Sequence, residues 1–294
     1  MCSASAGDSD ISRNVICIGC IFRYSCYFGL SNNYSLIVYK LRRHIVIQNS
    51  SKTSNSLILL PGWGWDSKIW DPLLEDLERN FSLHLINLPG YNLKEKISGY
   101  DLDTVVNILL ENTPDEGYWL GWSLGGMLAW HIAIHYPEKI TKLVTLCSSP
   151  RFVADSGWPG VTLDTLFKFE KHLLQDHRKT LNEFLTLQLR GAPKLVSMPE
   201  LPTEQANLKI ALKGGLELLK NLDLRKAMQN IKVPSLHIFG TNDTLVPIQV
   251  MESLRGCEAA AAIQAEFVSI PRAGHMPFLT HQKQFMQLIQ DFLL

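Results

Sequence analysis

The chain has 294 residues, 46% of them hydrophobic and 19% charged, with 28 Lys plus Arg balancing 28 Asp plus Glu. That length accommodates one α/β domain carrying an insertion, and the composition is ordinary for a soluble globular protein. A formal net charge of zero speaks against a dedicated nucleic-acid binder, which would carry a basic excess.

In chain order, the first feature is a cluster of cysteines: Cys2, Cys17, Cys20 and Cys26 precede the isolated Cys147 and Cys257. The Cys17–Cys20 spacing is half of a zinc site or redox pair, but no second C-x-x-C and no paired His follows. The reading is an apolar, cysteine-bearing tail in a reducing cytoplasm, with no metal. Its "VICIGCIF" run is too short to span a bilayer, and Asp8 and Asp10 in front of it do not suit a signal peptide. Residues 1–35 are expected to be a peripheral, poorly ordered extension, and no membrane association is expected anywhere.

From Tyr34 the pattern becomes regular. "SLIVYKL" and "RHIVIQ" read as antiparallel starting strands. "SLILLPGWG" is a buried strand entering a Gly-rich turn, and "DSKIWDPLLEDLERN" has helical spacing with Asp66 as N-cap. "FSLHLINLPG", "GYWLGW" and "ITKLVTLCSS" are further strands, separated by the helices "YDLDTVVNILLENT" and "LGGMLAWHIAIHYPEKI". Strand and helix in alternation predict a parallel sheet covered on both faces. Residues 151–230 are helical without a convincing strand, and "PSLHIFGTNDTLVP", "AEFVSIPRAGHMPF" and "KQFMQLIQDFLL" then restore the rhythm. The expected organisation is a core of residues 36–150 and 231–294 with a helical cap, 151–230, inserted between its strands.

Chemistry concentrates at "GWSLGG". Ser123 stands where a strand meets a helix, with Gly121 two residues before it and Gly125 two residues after. A sharp turn there crowds the backbone, small neighbours relieve the crowding, and the hydroxyl projects from the bend. A serine at its normal pKa needs a base, and the base an orienting acid. Asp243 follows the strand of "LHIFG" and His275 the last strand, which completes the order Ser…Asp…His. The other histidines fit less well: His131 and His135 lie along the helix after Ser123, His84 and His237 lie within strands, and His281 opens the last helix. Asp155 is the rival acid. The backbone N–H of Leu124 and that of Trp63, in "LLPGWGW", are the expected oxyanion donors, leaving the Trp63 indole as pocket wall. Trp63, Trp122, Phe184 and Leu187 are expected to form an apolar channel.

With "LLPGWGWDSKIW", "FSLHLINLPG", "WLGWSLGGMLA", "CSSPRF…WPG", "FLTLQ", "GGLELLKNLDLR" and "PSLHIFGTNDTLVP", the stretch Leu57–Leu294 resembles the α/β-hydrolase superfamily. Within it the likeness is to the pimeloyl-[acyl-carrier protein] methyl ester carboxylesterase family. The resemblance implies an α/β-hydrolase fold and a cytoplasmic, monomeric esterase of biotin biosynthesis that needs no cofactor and takes an acyl-carrier protein as partner. It implies Ser123, His275 and Asp243 as triad and Trp63 and Leu124 at the oxyanion. It also implies Phe184, Leu185, Thr186, Leu187 and Gln188 as cap residues lining the substrate site. The family's carrier-docking cap arginines are matched only in part; the cap instead carries Lys168, Lys171, Arg178, Lys179, Arg190 and Lys194 among Glu170, Asp176 and Glu183, a basic patch for an acidic carrier protein or a solvated helix face. Pro61 stands where the family carries a His before its first oxyanion glycine. The alternatives are a general short-chain esterase, a lactonase or carbon–carbon bond hydrolase with the same triad, and a non-catalytic binding protein of the same fold.

Overall fold

The computed structural model describes residues 25–30, 34–41, 44–49, 55–91, 97, 99–189, 199–202, 206–256 and 265–294. Its frame is a nine-stranded sheet: β1 (Ser25–Leu30), β2 (Tyr34–Leu41), β3 (His44–Asn49), β4 (Ser56–Leu60), β5 (Ser82–Leu85), β6 (Gly117–Trp122), β7 (Ile140–Leu146), β8 (Ser235–Gly240) and β9 (Ala265–Ile270). The spatial order is β1-β2-β3-β5-β4-β6-β7-β8-β9. The pairs from β1 to β5 are antiparallel and all pairs from β5 to β9 parallel, which leaves six parallel strands carrying the chemistry. The expected antiparallel start is present as β2 and β3. The strand pattern also begins earlier than expected, because Ser25–Leu30, assigned from sequence to the peripheral extension, pairs along its whole length with β2.

The central parallel strands divide their side chains between two apolar layers. In β4, Ile58 and Leu60 enter one core cluster and Leu57 and Leu59 the other. The first layer packs against α2 (Leu102–Glu111), α3 (Leu124–His135) and α7 (Gln249–Arg255). The second packs against α1 (Leu74–Leu77) and the terminal helix α9 (Gln282–Leu293), which follows the short α8 (Pro277–Thr280). An all-round apolar helix such as α3 forms where both sides are covered, and ten of its twelve residues are buried. The segment Ser67–Leu73, expected as α-helix, is 3₁₀, with Pro72 inside it; Asp66 caps it by accepting from the Lys68 N–H at 3.1 Å.

Among the described residues of 151–230, the cap region, the α-helices are α4 (Leu163–Gln175), α5 (His177–Gln188) and α6 (Ala206–Asn221). It contains no strand among its described residues, only isolated bridges at its base, Arg151 with Asp223, Val153 with Val161 and Asp155 with Trp158.

The sheet order places the site. From β4 the chain steps to β5 on one side, then crosses back over β4 to β6 and continues through β7 to β9. The reversal falls between β4 and β6, and the crevice beyond the carboxyl ends of such strands is where open α/β sheets bind ligands. The β4 end carries Pro61-Gly62-Trp63 and the β6 end carries Ser123.

Candidate active site

Ser123 has φ +54° and ψ −118°, one of three non-glycine residues with positive φ among those described. Its N–H is held by the Leu146 carbonyl at 2.9 Å, so the strain is anchored in the sheet. The glycines around it are demanded by space rather than by looseness. A Cβ at Gly121 would strike the Gly125 backbone, and one at Gly125 would reach the Pro61 oxygen at 2.5 Å. The helix after β6 thus starts against both its own strand and the loop after β4. Leu124, as its first residue, keeps an N–H with no intrahelical partner.

The β4 loop is shaped to meet the elbow. Gly64 adopts φ +85° and its N–H donates to the buried Tyr91 hydroxyl at 2.9 Å, while Trp65 N–H closes a turn on Gly62 O at 3.3 Å. A Cβ placed on Gly62 would lie 3.2 Å from the Ser123 Cβ, which brings the Trp63 peptide beside the serine. The Trp63 indole lines the cavity, as expected, and is also anchored, donating to Leu212 O in α6 at 2.8 Å. Its ring meets Phe169 and Phe184 edge-on, with centroids 5.4 and 5.3 Å away.

Asp243 and His275 are joined. His275 Nδ1 and Asp243 Oδ2 are 2.7 Å apart, with both side chains buried. The second carboxylate oxygen of Asp243 accepts from the N–H groups of Leu245 at 2.9 Å and Val246 at 3.1 Å, fixing the acid. Those two donors were not foreseen; the signal was the Asp-Thr-Leu-Val turn, whose aspartate folds back on its own backbone. His275 Nε2 is buried and makes no hydrogen bond among the described residues. The loops bearing the pair are stitched together by Asn242 N–H to Ala273 O at 2.8 Å and Arg272 N–H to Thr241 Oγ1 at 2.7 Å. Cys147 approaches from the end of β7, where burial and the Asp243 charge push its thiol well above the ordinary range. Cys147, Asp243 and His275 bring one ligand atom each within 4.8 Å of one another.

The rival groups are engaged elsewhere. Asp155 is bound bidentately by Arg225, at 3.1 and 2.9 Å, and by Arg151 at 2.8 Å. His237 is fully buried within β8, its Nδ1 2.8 Å from Thr145 Oγ1, and burial pulls its pKa down to about 3. His131 and His135 stack on each other along α3, with ring centroids 4.4 Å apart.

Beside the site, under the cap, lies an apolar cavity of about 180 Å³, bounded towards the loops by Trp63 and Leu245 and by Phe169, Phe184, Leu187 and Leu216 of the cap. The expected five-residue run on α5 does not line it as a block. Phe184 and Leu187 face it, because residues three apart share a helix face. Leu185 is buried in the opposite core cluster, Gln188 turns inward to accept from Trp65 Nε1 at 3.0 Å, and Thr186 is exposed. Trp122, expected in the channel, is fully buried and absent from the lining. Of the expected docking residues, Lys171, Arg178 and Lys179 are exposed on α4 and α5, while Arg190 and Lys194 lie outside the described residues.

A family model for the alpha/beta hydrolase fold matches residues 55–282. A pimeloyl-[acyl-carrier protein] methyl ester esterase from Pectobacterium carotovorum is 35% identical over 251 residues, covering 83% of this chain and 96% of the relative. The chain is an α/β-hydrolase of the pimeloyl-[acyl-carrier protein] methyl ester esterase family. A second family member, from Vibrio parahaemolyticus, is 35% identical over 242 residues, 80% of this chain and 93% of its own. Among solved structures, the esterase EaEST from Exiguobacterium antarcticum shares the fold with TM-score 0.70 at 20% identity, over 85% of this chain and 95% of its own. A hydrolase from Pseudomonas aeruginosa PA01 does so with TM-score 0.69 at 22% identity, over 92% and 98%.

Proposed function

We propose that the protein hydrolyses the methyl ester of pimeloyl-[acyl-carrier protein], releasing methanol and the free acid, through a Ser123–His275–Asp243 acyl-enzyme mechanism. The observation that carries the reading is the buried Asp243–His275 pair, whose Nε2 has no hydrogen-bond partner among the described residues, in a fold where Ser123 is held in a strained elbow. Family membership at 35% identity directs it to this ester.

His275 Nε2 takes the Ser123 proton as Oγ attacks the ester carbonyl, and Asp243 stabilises the imidazolium that forms. The Leu124 and Trp63 N–H groups receive the charge that develops on the carbonyl oxygen. The ester C–O bond breaks, methanol leaves with the proton from His275, and a water activated by the same nitrogen then attacks the acyl-serine and restores the enzyme. No step calls for a cofactor. The cavity beneath Phe169, Phe184 and Leu187 takes the apolar acyl chain.

The carrier protein docks on the cap, where α4 exposes Leu163, Phe167, Lys171 and Leu174 at helical spacing and α5 exposes Arg178 and Lys179. Cationic side chains around apolar contacts steer an acidic partner and then hold it.

The test is mass spectrometry of pimeloyl-[acyl-carrier protein] methyl ester incubated with the enzyme, with p-nitrophenyl esters in parallel. Loss of one methyl per carrier, abolished in Ser123→Ala, is expected. Cleavage of the simple esters alone makes the protein a general esterase, and a Ser123→Ala enzyme of full activity removes the mechanism.

A further inference from the structure

Trp122 precedes the nucleophile, and its side chain packs in the core layer opposite to that of Trp63, outside the cavity lining. Its indole N–H donates to the backbone carbonyl of His275 at 2.8 Å, across 153 residues of sequence. The ring lies tilted against the His275 imidazole, with centroids 5.5 Å apart, and edge-on to Phe278 at 5.1 Å. On its other side, a Cβ at Gly62 would stand 3.0 Å from the indole Cε3. One side chain therefore touches the oxyanion loop, adjoins the nucleophile and holds the base by its own backbone. The neighbouring carbonyl, Gly274 O, is approached by the Cys147 thiol at 3.7 Å, from a residue with φ +45°. Two consecutive carbonyls of the base loop are thus met by side chains from the ends of β6 and β7.

We propose that Trp122 is a positioning residue of the triad: its indole N–H sets the His275 backbone in register with Ser123, with Cys147 as a weaker second anchor. The proposal rests on the reading of Ser123 as nucleophile and His275 as base. His275 must reach the serine hydroxyl and then the departing methanol with the same nitrogen. Asp243 fixes only the Nδ1 side of the ring; the height of the ring above the elbow depends on where the backbone of its loop is tied. A displacement near 1 Å of a reacting group costs about a hundredfold in rate. Packing alone does not require an indole here, because a phenyl ring fills most of the same space, whereas removing the donor leaves a buried carbonyl unpaired.

The test compares Trp122→Phe with replacement of Trp122 by 3-benzothienylalanine, which keeps the ring volume and lacks the N–H. Trp119→Phe is the control, since it breaks an equivalent indole–carbonyl bond, to Lys139 O at 3.0 Å, three residues earlier on the same strand. Steady-state kinetics on a p-nitrophenyl ester are normalised to folded protein from the far-ultraviolet CD signal. Both Trp122 replacements are expected to lower kcat about tenfold or more with KM within about twofold, whereas Trp119→Phe loses stability and keeps kcat. The isosteric replacement decides the matter should Trp122→Phe fail to fold. Unchanged kcat in the benzothienyl enzyme, with Ser123→Ala inactive, overturns the positioning role and leaves the triad standing. Activity persisting in both Ser123→Ala and His275→Ala overturns the underlying reading, and the positioning role with it.

Discussion

Asp243→Asn isolates what the acid does. The carboxylate is used on both oxygens: Oδ1 accepts the Leu245 and Val246 N–H groups, and Oδ2 accepts from His275 Nδ1 at 2.7 Å. An asparagine keeps its carbonyl oxygen towards the two backbone donors and turns its NH₂ towards His275. The imidazole must then present a lone pair at Nδ1, placing its proton on Nε2, where it can no longer take one from Ser123. The tautomer is wrong while the packing is intact. In a Ser-His-Asp hydrolase that inversion costs about 10⁴ in kcat, or ~5.4 kcal/mol of transition-state stabilisation. Asp243→Ala differs in kind, since it leaves buried N–H donors unpaired at about 1–3 kcal/mol each, lowering Tm by several degrees. The assay is kcat on a p-nitrophenyl ester alongside thermal melting. Asp243→Asn should lose three to four orders of magnitude in kcat with a Tm close to wild type, as order-of-magnitude expectations. An enzyme of that kind retaining more than about a tenth of kcat would refute the orienting role.

Two further outcomes follow from charges outside the site. Reversing Lys171, Arg178 and Lys179 to Glu should reduce kcat/KM on the carrier-bound ester by about tenfold or more at low salt while leaving p-nitrophenyl esters unaffected; equal effects on both substrates would rule out docking at this face. His237, with its folded pKa lowered from 6.5 to about 3 by burial, makes stability depend on acid. Between those values the unfolded chain binds the extra proton, so its contribution is complete above pH 6.5 and declines as pH falls towards 3, by up to about 1.4 kcal/mol per unit. Urea unfolding across that range should show a shallower slope in His237→Gln; an unaltered slope would assign the acid sensitivity elsewhere.

The features legible in the sequence are those that a short segment decides by itself. The strand–turn–helix of "GYWLGWSLGG" carries its own steric logic, and Asp243 and His275 stand immediately past recognisable strands, so all three could be singled out from positions alone. Asp66 as N-cap was readable for the same reason. Contacts between distant segments were hidden. Nothing local says that the Trp122 indole bonds the His275 carbonyl, so its bulk was assigned to the substrate channel. The "FLTLQ" run reads as a block because resemblance does not convey rotation; only the helix turn of α5 separates Phe184 and Leu187 from Leu185. The β1 strand escaped because its pairing partner, rather than any pattern of its own, makes it a strand.

Trp63 has two attachments that pull in different directions. Its peptide belongs to the loop beside Ser123, while its indole is bonded to Leu212 of the cap and wedged against Gly215 of the same helix. Any displacement of α6 therefore breaks a bond made by the residue whose peptide adjoins Ser123. Seating α6 afterwards restores it. The roof of the apolar cavity and the loop beside Ser123 share one tryptophan, so a shift in either is felt by the other.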